Sequence, residues 1–342
     1  MLANHRVSMI VISFNGEDVI GDCLKSLTSL HSPEFEILVI DNASKDETKR
    51  EASRIAPSAR VVPLTANKGY GGGANVGAQV ANGEFLFFMN QDVRLSPSFV
   101  DSVLHKMKSD DRVGMCGGVI LNWQGDRVVS AGQLLEKWTG YALDYGFGST
   151  LLDIRMKNED AFSVNGAVFA IRRDVFEKIG GFAEDLFMYF DETDLAWRTH
   201  IAGYRVVCCS DAIAFHRISP GRAHNPYSRF YIERNSLLSA LWNYELQTLL
   251  VSLPISFVLR ATAILALIAM SRYDQARSIA RALYEVVNGI PRARQRRRQV
   301  ASIRRLKDRE IMKSDLLAKP SDVLRVFLSS FLPSTSSGPQ GE

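Results

Sequence analysis

Four polar clusters occur in order along the first hundred residues. They are Ser13-Phe14-Asn15, then Asp41-Asn42-Ala43-Ser44-Lys45-Asp46, then the glycine-rich stretch from Asn67-Lys68-Gly69 to Asn75, then Asn90-Gln91-Asp92. An acid at the tip of a buried strand is costly unless it is hydrogen-bonded or used. Asp41 and Asp92 converge where their strands are neighbours. Such a pair suits a nucleotide, one acid accepting bonds from base or ribose and the other holding a divalent metal on a diphosphate. A fifth cluster, Asp191-Glu192-Thr193-Asp194, begins a helical pattern, and His216 closes a late apolar run. Each has a plainer reading alone: Asp41-Asn42 as an Asx-turn or cap, the acids of 191–194 as complements to a helix N-terminus, a lone histidine as structural. Gly69, Gly71 and Ala74 fit GxGxxA loosely, but they follow the third strand rather than the first, which argues against a Rossmann dinucleotide site. The order and spacing of all the clusters together are far more specific than any one of them.

The elements that must position these residues alternate. Apolar runs at 7–13, 36–40, 60–63 and 84–89 read as strands. Between them, helical patterns cover 18–27 and 46–55, and a glycine-rich turn opens a helix near 74–80. Ser96-Pro97 reads as an N-cap with proline at the first helical position, starting a helix to about Lys108. Strands spaced by helices imply a parallel, doubly wound sheet, and ligands of such sheets sit beyond the carboxyl ends of the strands. From 110 to 244 the pattern is mixed: strands at 161–171, 204–209 and 212–216, helices at 174–179 and 191–201.

The chain has 342 residues, 46% hydrophobic and 23% charged, with a net charge of +4. These figures exclude a disordered chain, a collagen-like fibre and a small disulfide scaffold. Four cysteines without CxxC or metal-ligand spacing fit a reducing compartment, and the N-terminus lacks the pattern of a secretory signal. Residues 272–313 hold 13 Lys or Arg against 4 Asp or Glu, so a +9 tract follows a slightly acidic body. Before it, residues 249–270 form an apolar stretch broken by Pro254 and Arg260. Its twelve Leu, Ile, Val and Phe residues favour insertion by roughly 4–7 kcal/mol and the arginine opposes by about 3. Helices lying at the interface of an anionic membrane fit that balance better than a span. The basic tract lacks the interleaved aromatics of a nucleic-acid reader, so no nucleic-acid partner is expected. Residues 334–342 are polar and read as a disordered tail.

The clusters resemble those of the family 2 glycosyltransferases, inverting enzymes of the GT-A fold, and within them the bacterial rhamnosyltransferase-like branch. The resemblance lies in VISFN at 11–15, IDNASKDET at 40–48, NKGYGGGANVG at 67–77, NQDV at 90–93 and NGAVFAIRRDVFEKIGGFAEDLFMYFDETDLAWR at 165–198. It implies a GT-A domain over 1–245, with a nucleotide-sugar half (1–109) and an acceptor and catalytic half (110–245), followed by a helical membrane-associating region (246–333). It also implies a nucleotide-diphosphate sugar donor (dTDP or UDP), L-rhamnose as the sugar, and Mg²⁺ or Mn²⁺. The acceptor is a glycan or lipid-linked glycan of a bacterial surface polysaccharide, at the cytoplasmic face of the membrane. A different donor sugar (hexose, N-acetylhexosamine or galactofuranose) or a catalytically silent nucleotide-sugar-binding protein are the alternatives, and a homo-oligomer is compatible with the sequence.

The resemblance also implies roles. Ser13, Phe14, Asn15 and Asp41 contact the base or ribose. Asn67, Lys68, Gly69, Asn75, Asn90 and Gln91 shape the sugar–diphosphate pocket. Asp92 is the last acid of a DxD-type metal motif whose first position here is Asn90, and His216 completes the metal shell or touches the diphosphate. Asn165 and Gly166 floor the acceptor site. Glu192 is the base, with Asp191 its rival, and Asp194 faces either acceptor or arginine. Tyr231, Arg234 and Asn235 match a YxxRN element that, with Arg222, binds the leaving diphosphate.

Overall fold

A computed structural model describes residues 7–30, 35–154, 156, 159–218 and 225–319. Arg222 and the 334–342 tail lie outside the described residues, as does the end of the 246–333 region. The first half alternates as expected: β1 (Val7–Ser13), α1 (Ile20–Thr28), β2 (Phe35–Asp41), α2 (Thr48–Ile55), β3 (Arg60–Pro63), α3 (Gly69–Val80) and β4 (Phe85–Asn90). The strands lie in the order β3-β2-β1-β4, all parallel. Their continuous apolar runs are explained by burial on both faces.

Beyond β4 the sheet becomes mixed. β5 (Val93–Leu95), α4 (Phe99–Ser109), β6 (Val113–Asn122), β7 (Val128–Ser130), the hairpin β8 (Gln133–Leu135) and β9 (Ala142–Asp144), β10 (Val168–Arg172), α5 (Arg173–Lys178), α6 (Asp191–Ile201) and β11 (Arg205–His216) follow. β10 inserts between β4 and β6, antiparallel to both, so the loop entering β10 meets the end of β4. Asn90 N accordingly donates to Ala167 O at 2.9 Å. β11 pairs with β6 and with β5, which brings His216 opposite Val93.

Several boundaries differ from expectation. Helix α4 begins at Phe99 with Ser98 at its N-cap position, so Ser96-Pro97 lie in a turn before it, closed by Phe99 N on Ser96 O at 3.1 Å. Strand 161–171 shortens to β10 because 161–167 runs as a loop against the β8 hairpin. The strands expected at 204–209 and 212–216 are one strand interrupted by a bulge. Helix α3 begins at Gly69, not near Ala74, so the glycines are its first turns rather than a preceding loop. They are needed because α3 lies close against its neighbours: a Cβ on Gly71 would stand 2.8 Å from Asp191 Oδ1, and one on Gly77 would collide with Ile10.

The C-terminal helices are α7 (Pro226–Asn243), α8 (Leu246–Ala269), α9 (Tyr273–Asn288), α10 (Ile290–Ile303) and the short α11 (Asp308–Ile311). They are packed onto the body rather than hanging from it. Ala293, Val300, Ile311 and Leu316 share one apolar cluster with Leu135, Phe162, Trp197 and Tyr244. Part of the basic tract is used internally: Arg297 donates to Leu241 O, and Arg304 donates to Asn243 O and pairs with Asp308. The last described residues cross back to the β8 hairpin, where Ala318 N donates to Leu135 O at 2.9 Å.

Candidate active site

The carboxyl ends of β1, β2 and β4 form one edge. Ser13 and Asp41 are register partners, so their side chains leave the sheet on the same face. Both are buried, and both keep an oxygen without a hydrogen-bond partner among the described residues, Ser13 Oγ and Asp41 Oδ2. Buried polar atoms are rarely left so, and here they mark where a ligand would bond. Asp41 Oδ1 is held by Ser44 N at 3.3 Å. Asn15, at φ +45°, donates from its backbone to Ser44 Oγ and accepts Lys45 N, both at 2.9 Å. Exposed Phe14 is gripped by the Gln91 amide, which accepts Phe14 N and donates to Phe14 O, each at 3.0 Å. Gln91 therefore sets the backbone of the base-side loop.

Asn67 and Lys68 flank the opening of α3: Asn67 Oδ1 accepts Gly69 N at 2.8 Å, and the Lys68 side chain is exposed. Asn42, which sequence reasoning passed over, ties this turn to β2 by accepting Lys68 N and donating to Gly69 O, each at 2.8 Å. Its only signal in the sequence is its place beside Asp41.

Asp92 and His216 come together, with Nε2 3.3 Å from Asp92 Oδ1. His216 is buried and Asp92 partly exposed. Among the described residues no three His, Cys, Asp or Glu side chains cluster as a metal cage. A carboxylate and an imidazole this close still fit a hard divalent cation that draws its remaining oxygens from a diphosphate and water.

The acidic helix separates the two rival acids. Asp191 is buried against Gly71 at the start of α3. Burial, then the carboxylates of Glu192 and Asp194, push its carboxyl well above the usual range. Glu192 is half-buried and turned to Gly166, on which a Cβ would be 3.0 Å from its carboxyl group. Tyr70, also unremarked in the sequence, approaches the same backbone, its hydroxyl 3.3 Å from Gly166 O. Burial, followed by the charges of Glu192 and Asp191, raises its phenol well above the usual range, so it stays a donor. Because Ala167 is bonded to Asn90, Gly166 and Glu192 lie at the edge that carries Asp92. Asn165 accepts Ala167 N at 3.0 Å and donates to Asp144 at 3.3 Å, which fixes this floor.

Asn75, Arg234 and Asn235, which the resemblance assigns to the donor, bond the segment 179–190 that leads into α6, and Asp194 with its partner Arg198 holds the same segment. Asp194 turns to arginine, not to acceptor. It is fully buried, its Oδ2 taken by Arg198 at 2.6 and 2.9 Å and its Oδ1 by Asn243 at 2.8 Å. Arg198 in turn donates to Ile179 O and Gly181 O. Asn75 bonds both N–H and C=O of Phe182, and Glu184. Arg234 donates to Asp185 O and Leu186 O at 2.9 Å, stacks on Tyr231 and pairs with Glu285. Asn235 adds bonds to Leu186 O, Met188 O and Tyr189 O at 2.7–2.9 Å. The clamp is needed because Phe187, Tyr189 and Phe190 all have positive φ, +67°, +62° and +68°, a conformation that costs non-glycine residues free energy.

The sequence profile described as glycosyl transferase family 2 matches residues 8–180. The chain is 25% identical over 239 residues to the N-acetylglucosaminyl-diphospho-decaprenol L-rhamnosyltransferase of Mycobacterium tuberculosis, covering 62% of this chain and 76% of that one. It is 29% identical over 230 residues to the O-antigen biosynthesis protein RfbC of Myxococcus xanthus, covering 64% of this chain but only 18% of that much longer protein. Among solved structures it is similar to the mannosyltransferase PcManGT of Pyrobaculum calidifontis, with a TM-score of 0.53 at 18% identity over 87% of this chain and 84% of that one. The fold is the GT-A fold of such glycosyltransferases. With half of its length matched by the profile, the chain belongs to glycosyl transferase family 2.

Proposed function

We propose that this chain is an inverting glycosyltransferase that moves a sugar, L-rhamnose, from a dTDP- or UDP-linked donor to a lipid-linked glycan at the cytoplasmic face of a bacterial membrane. The observation that carries the reading is the separation of Asp191 from Glu192, which leaves one carboxylate beside the acceptor floor at Gly166. Glu192 accepts the proton of the acceptor hydroxyl as that oxygen bonds to the anomeric carbon. The bond from that carbon to the diphosphate oxygen breaks, and its electron pair leaves with the nucleoside diphosphate. The partnerless Ser13 Oγ and Asp41 Oδ2 support a polar nucleotide at the β1–β2 edge. Asp92 and His216 would hold a divalent cation, which when bound supplies positive charge for the departing diphosphate. Mn²⁺ accompanies GDP-mannose in the Pyrobaculum structure, and the Mycobacterium relative is named for rhamnose and a decaprenol-linked acceptor; both support the finer reading.

The test is a donor screen that follows nucleoside diphosphate release from dTDP-rhamnose, UDP-hexoses, UDP-N-acetylhexosamines and UDP-galactofuranose, with Mg²⁺, Mn²⁺ or chelator. Release from dTDP-rhamnose, lost on chelation, is expected. Preference for another sugar overturns the rhamnose assignment, full activity in chelator overturns the metal, and binding without release favours a silent sugar-nucleotide binder.

A further inference from the structure

Helix α8 has two unlike faces. Leu249, Ser252, Ser256, Arg260, Ala263 and Leu267 are buried at spacings of three and four. Leu250, Val258 and Leu265 are 67%, 65% and 69% exposed, with Leu246, Val251 and Ile268 beside them. At 100° per residue the two sets centre on opposite sides of the helix. Its 24 residues are long and apolar enough to cross a bilayer, yet the buried stripe is built around a charge. Arg260, 3% exposed, lies 2.9 Å from Glu233 of α7, donates to Ser236 at 2.8 Å and to Ser256, and stacks over Tyr141. Tyr141 also bonds Glu233. Moving α8 into hydrocarbon would strand Arg260 in lipid, which is strongly unfavourable, and leave Glu233 with Arg229 as its one cationic partner among the described residues.

We propose that α8 docks in the plane of an anionic bilayer, its outward apolar face at the headgroup–acyl boundary, while Arg260 keeps the other face on the catalytic body. The proposal rests on the lipid-linked-acceptor reading above and supplies the surface that such an acceptor requires. A bilayer is the occupant that suits both chemistries present. The face itself is aliphatic, and the helices that follow carry exposed Arg277, Arg292, Arg294 and Arg298, which anionic headgroups attract. An apolar face of this extent is a binding surface rather than ordinary exposure.

The experiment is flotation of the full chain with phosphatidylglycerol-containing vesicles. Wild type floats, and Leu250→Asp/Val258→Asp/Leu265→Asp lowers the floated fraction at least tenfold while melting at an unchanged temperature. Undiminished flotation of the triple variant overturns the proposal, as does a wild-type dimer that the triple variant dissociates without any change in flotation. Orientation is read separately, with Gln247→Cys and Ser271→Cys added outside sealed vesicles and exposed to a membrane-impermeant maleimide. Both ends react if the helix lies in the plane; protection of one end means a span and overturns it. Nucleoside diphosphate release in lipid-free buffer tests the transferase reading independently, so failure of either is seen alone.

Discussion

At the donor edge, Ser13 Oγ and Asp41 Oδ2 are buried without partners, whereas the loop 179–190 is held by Asn75, Arg198, Arg234 and Asn235 through bonds to most of its carbonyls. The two regions lie on one site and treat polar groups in opposite ways. A surface that receives a ligand keeps bonding capacity open, while a segment that presents a base in a strained conformation is saturated so that it has one geometry.

That contrast can be broken by substitution. Glu192→Gln should lower kcat by roughly 10²–10⁴-fold with nucleotide affinity in calorimetry unchanged; wild-type turnover would remove Glu192 as the base. Asp41→Ala should weaken nucleotide binding by about 1.5–3 kcal/mol, the range for a hydrogen bond to a charged group, while stability falls by no more than the single 3.3 Å bond from Ser44 N to Oδ1, because Oδ2 lacks a partner among the described residues. A large fall in stability would mean that Asp41 is structural. Asn235→Ala should do the reverse, costing about 1–3 kcal/mol of stability and reducing kcat while the nucleotide dissociation constant stays put. Weaker nucleotide binding would return the 231–235 element to the donor site. The smallest effect is expected of Asp191→Asn. Its carboxyl is raised by burial and by Glu192 and Asp194, so the folded protein favours the neutral form and the penalty for ionising it grows as pH rises above about 4. Stability of the asparagine variant relative to wild type should therefore increase from pH 4 towards pH 8; a difference that is flat or falls with pH would refute the direction.

The strands and the clusters at their ends were legible because buried parallel strands are runs of apolar residues, and the first polar residue after each run marks its tip. Ser13, Asp41 and Asn90 follow from that rule, and Asp92 lies two residues beyond. The roles of Asn75, Asp194 and Arg234 were not legible. Each depends on where 179–190 passes, and no local pattern encodes three non-glycine residues at positive φ. The acidic motif fixed which residues begin α6 but not which acid faces the acceptor; packing of Asp191 against the glycines of α3 decides that. Arg260 was read as a defect in an apolar segment, and its partner Glu233, in another helix, carries no matching signature.

The antiparallel insertion of β10 between β4 and β6 also bears on how the site comes into being. Tyr70 and Gly166 are 96 residues apart in the chain, and Asn75 and Phe182 are 107 apart. Strands β1, β2 and β3 pair with their neighbours in sequence, whereas β4 reaches back past two strands to β1, and the contacts of residues 165–190 close longer loops still before they repay the lost chain entropy. On a ribosome the β1–β4 edge would emerge well before residues 165–192. The chain is thus built with the proposed donor edge first and the proposed base later.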